Sequence, residues 1–230
     1  MKRIAIDGRL LSVAGFVRQG AQFADIGTDH AYLPIYLLQG GVIKSAAASD
    51  VNEGPLESAR ANAREYCVID RMSFHLADGL DALADCGITD IAIAGMGGEL
   101  IADIVARAGF IRDKAIRLIL QPMSKQAHLR RFLEAEGFSI IGESYSKSVG
   151  KYYLTICAEY SASRRDIDLL EAELGKKEFL SEITPEAQGY LNTKKKAYQK
   201  IANGRMAGGE SADEELLLCR EIERLLGEKI

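Results

Sequence analysis

Apolar positions follow two rhythms along this chain. Short unbroken runs such as Ile91-Ala92-Ile93-Ala94 and Leu118-Ile119-Leu120 suit strands buried on both faces, as in a parallel sheet covered by helices. Longer stretches with helical spacing separate them. After an amphipathic segment at 10–17, the pattern predicts strands at 22–26, 45–50, 72–76, 88–94 and 116–120, with helices running to 39 and over 55–66, 99–108 and 125–136. Pro55 fits a first helical turn, and Gly109 and Gly137 fall where helices should end. The series predicts a doubly wound, mostly parallel α/β sheet.

Two adjacent strand-like segments follow, 138–145 and 152–159, joined by the loop Ser146–Gly150, which predicts an antiparallel hairpin at the sheet edge. From about Ser161 only helical patterns remain. Thr184-Pro185-Glu186 reads as an N-cap and first turn, and Ser211-Ala212-Asp213-Glu214 as a capping box. Asn203-Gly204 and Gly208-Gly209 suggest a flexible turn between two helices. Leu191, Tyr198 and Ile201 would then face Leu218, Ile222 and Leu225 in a helical hairpin packed as a short coiled coil. Two domains are expected, 1–160 and 161–230.

Composition adds limits. No window approaches the roughly 18 apolar residues of a membrane span, and the N-terminus lacks a signal peptide's pattern, so a cytoplasmic protein is expected. Cys67, Cys86, Cys157 and Cys219 form no C-x-x-C pair; they read as reduced, buried apolar residues, with no metal site signalled. The formal net charge of −4 leaves only local basic patches for a polyanionic partner. Candidates are Lys125 with Arg130-Arg131, Lys147 with Lys151, Arg164-Arg165, and Lys194-Lys195-Lys196 with Lys200.

The chemistry concentrates at the carboxyl ends of the predicted strands, where open α/β sheets bind ligands. Asp25-Ile26-Gly27-Thr28-Asp29-His30 follows the first strand and carries a single glycine. A pyrophosphate needs more glycines and would be repelled by Asp29, whereas the ammonium and sulfonium of S-adenosylmethionine suit a carboxylate-lined turn. Asp29 alone would also serve as a helix N-cap. Asp50 stands where a Rossmann acidic residue takes ribose hydroxyls, and Asp78-Gly79 where a side chain and a backbone N–H address adenine. Ala94-Gly95-Met96-Gly97-Gly98 ends the fourth strand without side-chain bulk, and Gln121-Pro122 ends the fifth.

Taken together, Asp25 to Pro34, Glu53-Gly54-Pro55, Ala77-Asp78-Gly79-Leu80, Ile93 to Gly98 and Leu120-Gln121-Pro122 resemble the bacterial tRNA (adenine-N1)-methyltransferase family that modifies adenine 22 in the D-arm. The resemblance spans the chain, with Met123 where the family usually has Asn and Thr28 where Ser is common. It implies a Rossmann-like class I methyltransferase domain followed by a C-terminal helical coiled-coil domain that grips tRNA. It further implies S-adenosyl-L-methionine around Asp25, Gly27, Asp50, Asp78, Gly79, Gly95 and Met96. Asp29, His30 and Tyr32 are then the candidate catalytic residues, with Gly97, Gly98, Gln121 and Pro122 toward the substrate. Alternatives are a small-molecule methyltransferase, a non-catalytic nucleotide-binding protein and a nicotinamide oxidoreductase.

Overall fold

The computed structural model describes residues 2–80, 82–113 and 115–227. Its elements are α1 (Gly8–Ala14), β1 (Ala21–Ile26), α2 (Tyr32–Gln39), β2 (Ile43–Asp50), α3 (Glu53–Glu65), β3 (Met72–Leu76), β4 (Asp90–Gly97), α4 (Gly98–Arg107), β5 (Arg117–Ser124), α5 (Gln126–Ala135), β6 (Phe138–Ser148), β7 (Lys151–Tyr160), α6 (Leu169–Leu174), α7 (Pro185–Ala207) and α8 (Asp213–Leu225). Seven strands form one sheet in the order β3-β2-β1-β4-β5-β7-β6, the first five parallel. β7 runs antiparallel to β5 and to β6.

The period of two along each strand divides the core between the sheet's faces. Ala24, Ile91, Ile93, Leu118 and Leu120 point to the side packed by Ile101, Val105, Leu129 and Leu133 of α4 and α5. Phe23, Ala92 and Ile119 point to the opposite side, against Val13, Leu33, Ile35 and Ala59 of α1, α2 and α3. The expected order of strands and helices is therefore present, with shifted ends.

Several local expectations need correction. β6 and β7 extend through most of the expected loop, leaving only Val149-Gly150 as the turn, both with positive φ, the geometry that matches strand twist in a two-residue hairpin. Gly137 and Gly109 each follow the last cap of a helix as expected, Gly137 after α5 at φ +87° and Gly109 after α4, where it opens a 3₁₀ turn. Asn203-Gly204 lies inside α7, so the chain reverses only after Ala207. Ala212, not Ser211, is the N-cap of α8; Ser211 Oγ accepts from the Asp213 N–H at 3.3 Å, so no capping box forms. Thr184 does cap α7, accepting from Ala187 N at 3.1 Å.

In the C-terminal helices Leu191, Leu218 and Ile222 share a core with Tyr198 and Leu225 beside it, but Ile201 is 48% exposed while the neighbouring Ala202 is buried. Cys67 and Cys86 are exposed, against expectation; Cys157 and Cys219 are buried. No described helix is long and apolar enough to cross a membrane.

A polar seam joins the helices to the sheet. Arg130 of α5, 1% exposed, donates to Glu143 of β6 at 2.6 and 3.1 Å and to the Ala172 carbonyl at 2.8 Å. Glu134 takes Arg165 at 2.7 Å and Lys176 at 3.1 Å, and Glu173 takes Lys194 at 2.9 Å and the Tyr198 hydroxyl at 2.6 Å. Tyr190 of α7 enters the main core directly. This seam removes Arg130, Arg165 and Lys194 from the basic patches expected to face solvent, because each is held by a carboxylate.

Candidate active site

A cleft of about 390 Å³ opens at the carboxyl ends of β1 and β4, lined by Asp25, Gly27, Asp29, His30, Tyr32 and Gly95 among the expected residues, together with Arg9. Asp25 lies at its floor, where burial pushes the carboxyl up to about 6 while Thr28 and the Arg9 guanidinium pull the other way. The β1 chain leaves the sheet through Gly27, at φ +71°. A Cβ there would collide with the Met96 methyl group, so the Met96 side chain lies across the glycine turn.

α2 starts later than the motif suggested. Ala31, in the left-handed region at φ 54°, is its N-cap position, and Thr28 Oγ1 accepts the Ala31 N–H at 3.1 Å. Asp29 caps nothing: its side chain is 78% exposed and lies 3.2 Å from His30 Nε2. The His30 ring stacks on Tyr32 at 5.1 Å with 19° between planes, and Asn62 donates to the His30 carbonyl at 3.0 Å. The turn thus presents a carboxylate, an imidazole and a phenol together at the mouth of the cleft.

The other expected residues are not among those lining this cleft. Asp50 accepts from Asn52 N at 2.8 Å in a turn that starts α3. Asp78 is gripped in bidentate fashion by Arg107 at 2.7 and 3.0 Å, which holds its carboxyl below the usual range. Gly79 accepts the Ser49 hydroxyl on its carbonyl at 3.3 Å. Gly97 is the N-cap of α4, and Gly98 is packed so tightly that a Cβ would stand 2.5 Å from the Lys125 carbonyl oxygen.

Gln121 and Pro122 are buried beneath the rim. The Gln121 amide oxygen accepts from Arg9 Nη1 at 2.9 Å and Gly95 N at 3.1 Å, so it fixes one cleft residue from a neighbouring strand and another from α1. Met123 is exposed, its sulfur 3.6 Å from Gln121 Nε2. Arg9 is the functional candidate that no motif flagged. Its only signal was a cation immediately before the amphipathic segment at 10–17.

A parallel sheet with one reversed strand next to its edge, carrying a carboxylate-floored cleft and no multi-glycine phosphate turn, defines a Rossmann-like methyltransferase. The sequence matches the family described as "Methyltransferase domain" over residues 6–156. It is 37% identical to the Bacillus subtilis tRNA (adenine(22)-N(1))-methyltransferase over 69% of this chain and 67% of that protein. Among solved structures, Streptococcus pneumoniae Sp1610 in complex with S-adenosyl-L-methionine is 34% identical, with TM-score 0.81 over 93% of this chain and 97% of that one. The B. subtilis m1A22 tRNA methyltransferase TrmK is 28% identical, with TM-score 0.80 over 98% and 99% of the respective chains. This chain belongs to the tRNA (adenine(22)-N(1))-methyltransferase family.

Proposed function

We infer that the protein methylates N1 of adenine 22 in tRNA with S-adenosyl-L-methionine as donor, which places its work in the cytoplasm. The observation that carries this reading is the buried, poorly neutralised Asp25 carboxyl at the floor of the cleft: it calls for a cation and repels a phosphate. S-adenosylmethionine, when bound, supplies an electrophilic methyl group on a sulfonium and brings an ammonium as well. Asp25 and the Gly27 backbone would hold its amino-acid end, with Arg9 placed to meet a carboxylate. Asp50, Asp78, Gly79, Gly95 and Met96 would surround the nucleoside end; in that role Asp78 must share its carboxylate with Arg107 or release it.

Adenine N1 has an in-plane lone pair and no proton, so attack needs no general base and depends on in-line positioning. Asp29, exposed at the mouth, is assigned to stabilise the positive charge that develops on the base. His30 and Tyr32 form a stacked pair suited to holding an unstacked adenine. Gly97 and Gly98 are assigned to the substrate side, with Gln121 and Pro122 buried beneath it and Gln121 acting as a positioning residue through Arg9 and Gly95. Residues 1–160 are taken as the catalytic unit and 161–230 as the tRNA-gripping helices.

The test is a methylation assay on unmodified tRNA with mapping of the modified base, paired with calorimetry against S-adenosylmethionine and NAD. Binding of the methyl donor and modification at adenine 22 are expected. Binding of NAD alone sinks the reading, and donor binding without tRNA methylation leaves only a small-molecule methyltransferase.

A further inference from the structure

We propose that a groove on the far side of α1 from the cofactor cleft, together with the tip of the β6–β7 hairpin, holds a nucleotide neighbouring the target adenine. This inference rests on the tRNA-methylating reading above. α1 is a wall between two depressions: Arg9 and Leu10 line the cleft, while Gly8, Leu11 and Ser12, spaced i, i+3 and i+4, line a groove of about 520 Å³. An RNA strand crossing α1 can therefore place one base on each side of it.

The groove is furnished for a nucleotide. Ser146 of β6 opens on it, 7% exposed, and its hydroxyl has no hydrogen-bond partner among the described residues. A buried orphan hydroxyl is costly to the free protein and is relieved by a ligand that bonds it. Lys147 supplies an ammonium for a phosphate, Glu186 an acceptor for sugar hydroxyls, and Leu11 exposed apolar surface for a base.

The hairpin tip adds charge at the same place. Lys147 and Lys151 flank the turn, whose Val149 is 95% exposed, and neither lysine takes a carboxylate partner among the described residues. The other three basic clusters each lose members: Lys125 pairs with Glu99, Arg130 with Glu143, Arg165 with Glu134, Lys194 with Glu173 and Lys195 with Glu223. Asp7 fixes the tip to α1, accepting from Leu10 N at 2.9 Å and from the Ser148 hydroxyl at 3.0 Å. Of the four clusters this is the one with no member in an ion pair among the described residues, and it stands at the start of the wall that carries Arg9.

The experiment uses the full chain and an unmodified tRNA transcript, measuring tRNA affinity across salt concentrations, donor affinity by calorimetry, and methylation. Lys147→Ala/Lys151→Ala is expected to weaken tRNA binding about tenfold and to flatten the slope of log K against log salt by about 1.5, with donor affinity unchanged. Ser146→Ala is expected to leave unfolding stability unchanged or higher while lowering tRNA affinity about threefold. Methylation by wild type, with both variants binding tRNA as wild type does and with the same salt slope, overturns the groove alone. A wild type that binds the donor yet methylates no tRNA overturns the function and this inference with it.

Discussion

Burial pushes the Asp25 carboxyl up to about 6, and the direction of that shift gives two consequences. Its folded value of about 6 lies above the ordinary 3.8, so the native state holds its proton more tightly than the unfolded chain. That contribution is complete below about pH 4 and is lost as pH rises through about 6, so the ionised carboxyl at neutral pH is a local destabilisation of about 3 kcal/mol. Asp25→Asn should therefore raise stability at neutral pH, by on the order of 1–3 kcal/mol in urea denaturation, while donor binding collapses. In wild type, donor affinity should weaken as pH falls below about 6, with proton uptake into Asp25 competing with the cation. Calorimetry in buffers of different ionisation enthalpy reads that proton directly. Asp29 is exposed and caps nothing. Asp29→Ala should lower the single-turnover methylation rate about tenfold or more with donor affinity intact. An unchanged rate removes its assignment.

The elements show which sequence signals carry structural information. The strands in the middle of the sheet were legible because burial on both faces demands unbroken apolar runs, and Ile91–Ile93 and Leu118–Leu120 supply them. The motif Asp25 to His30 was legible as a site because a carboxylate replaces the expected glycines. The hairpin was legible as a pair of strands but not in its turn: Val149 is a poor turn residue by type, and only the cross-strand register of Ser148 with Lys151 shows that two residues suffice. Arg9 and the Gln121 contact were not legible, because they join positions 112 residues apart through space. Gly98 looked like a residue kept small for substrate, yet its closest constraint is the Lys125 backbone. Gly98→Ala should accordingly cost about 1–3 kcal/mol of stability before any effect on substrate is seen, readable from the denaturation midpoint. Adding the alanine at Gly54, where nothing lies within 4 Å, is the matching control.

Across the whole molecule, several of the basic residues that composition marked for RNA are held in ion pairs, and two of them, Arg130 and Arg165, tie the C-terminal segment to α5. The Arg130–Glu143 pair is the most enclosed of these, 1% exposed on both side chains. Arg130→Met strands Glu143 in a space that water does not reach, and should destabilise the protein by about 3–5 kcal/mol. Arg130→Met/Glu143→Leu should recover most of that loss, since two apolar groups leave no orphaned charge; a double variant as unstable as the single one would show that the Ala172 carbonyl contact carries the cost instead.

The same seam governs how this fold can be recombined. Arg130 and Glu134 of α5 and Glu143 of β6 precede the join, while Arg165, Glu173, Lys176 and Tyr190 arrive from beyond β7. A chimaera that grafts another relative's helices after β7 keeps Glu134 without its partners Arg165 and Lys176 and leaves a vacancy where Tyr190 stood. The helices are thus no interchangeable cassette. A working graft must carry the residues on both sides of the join, whichever tRNA surface the transplanted helices were chosen to reach.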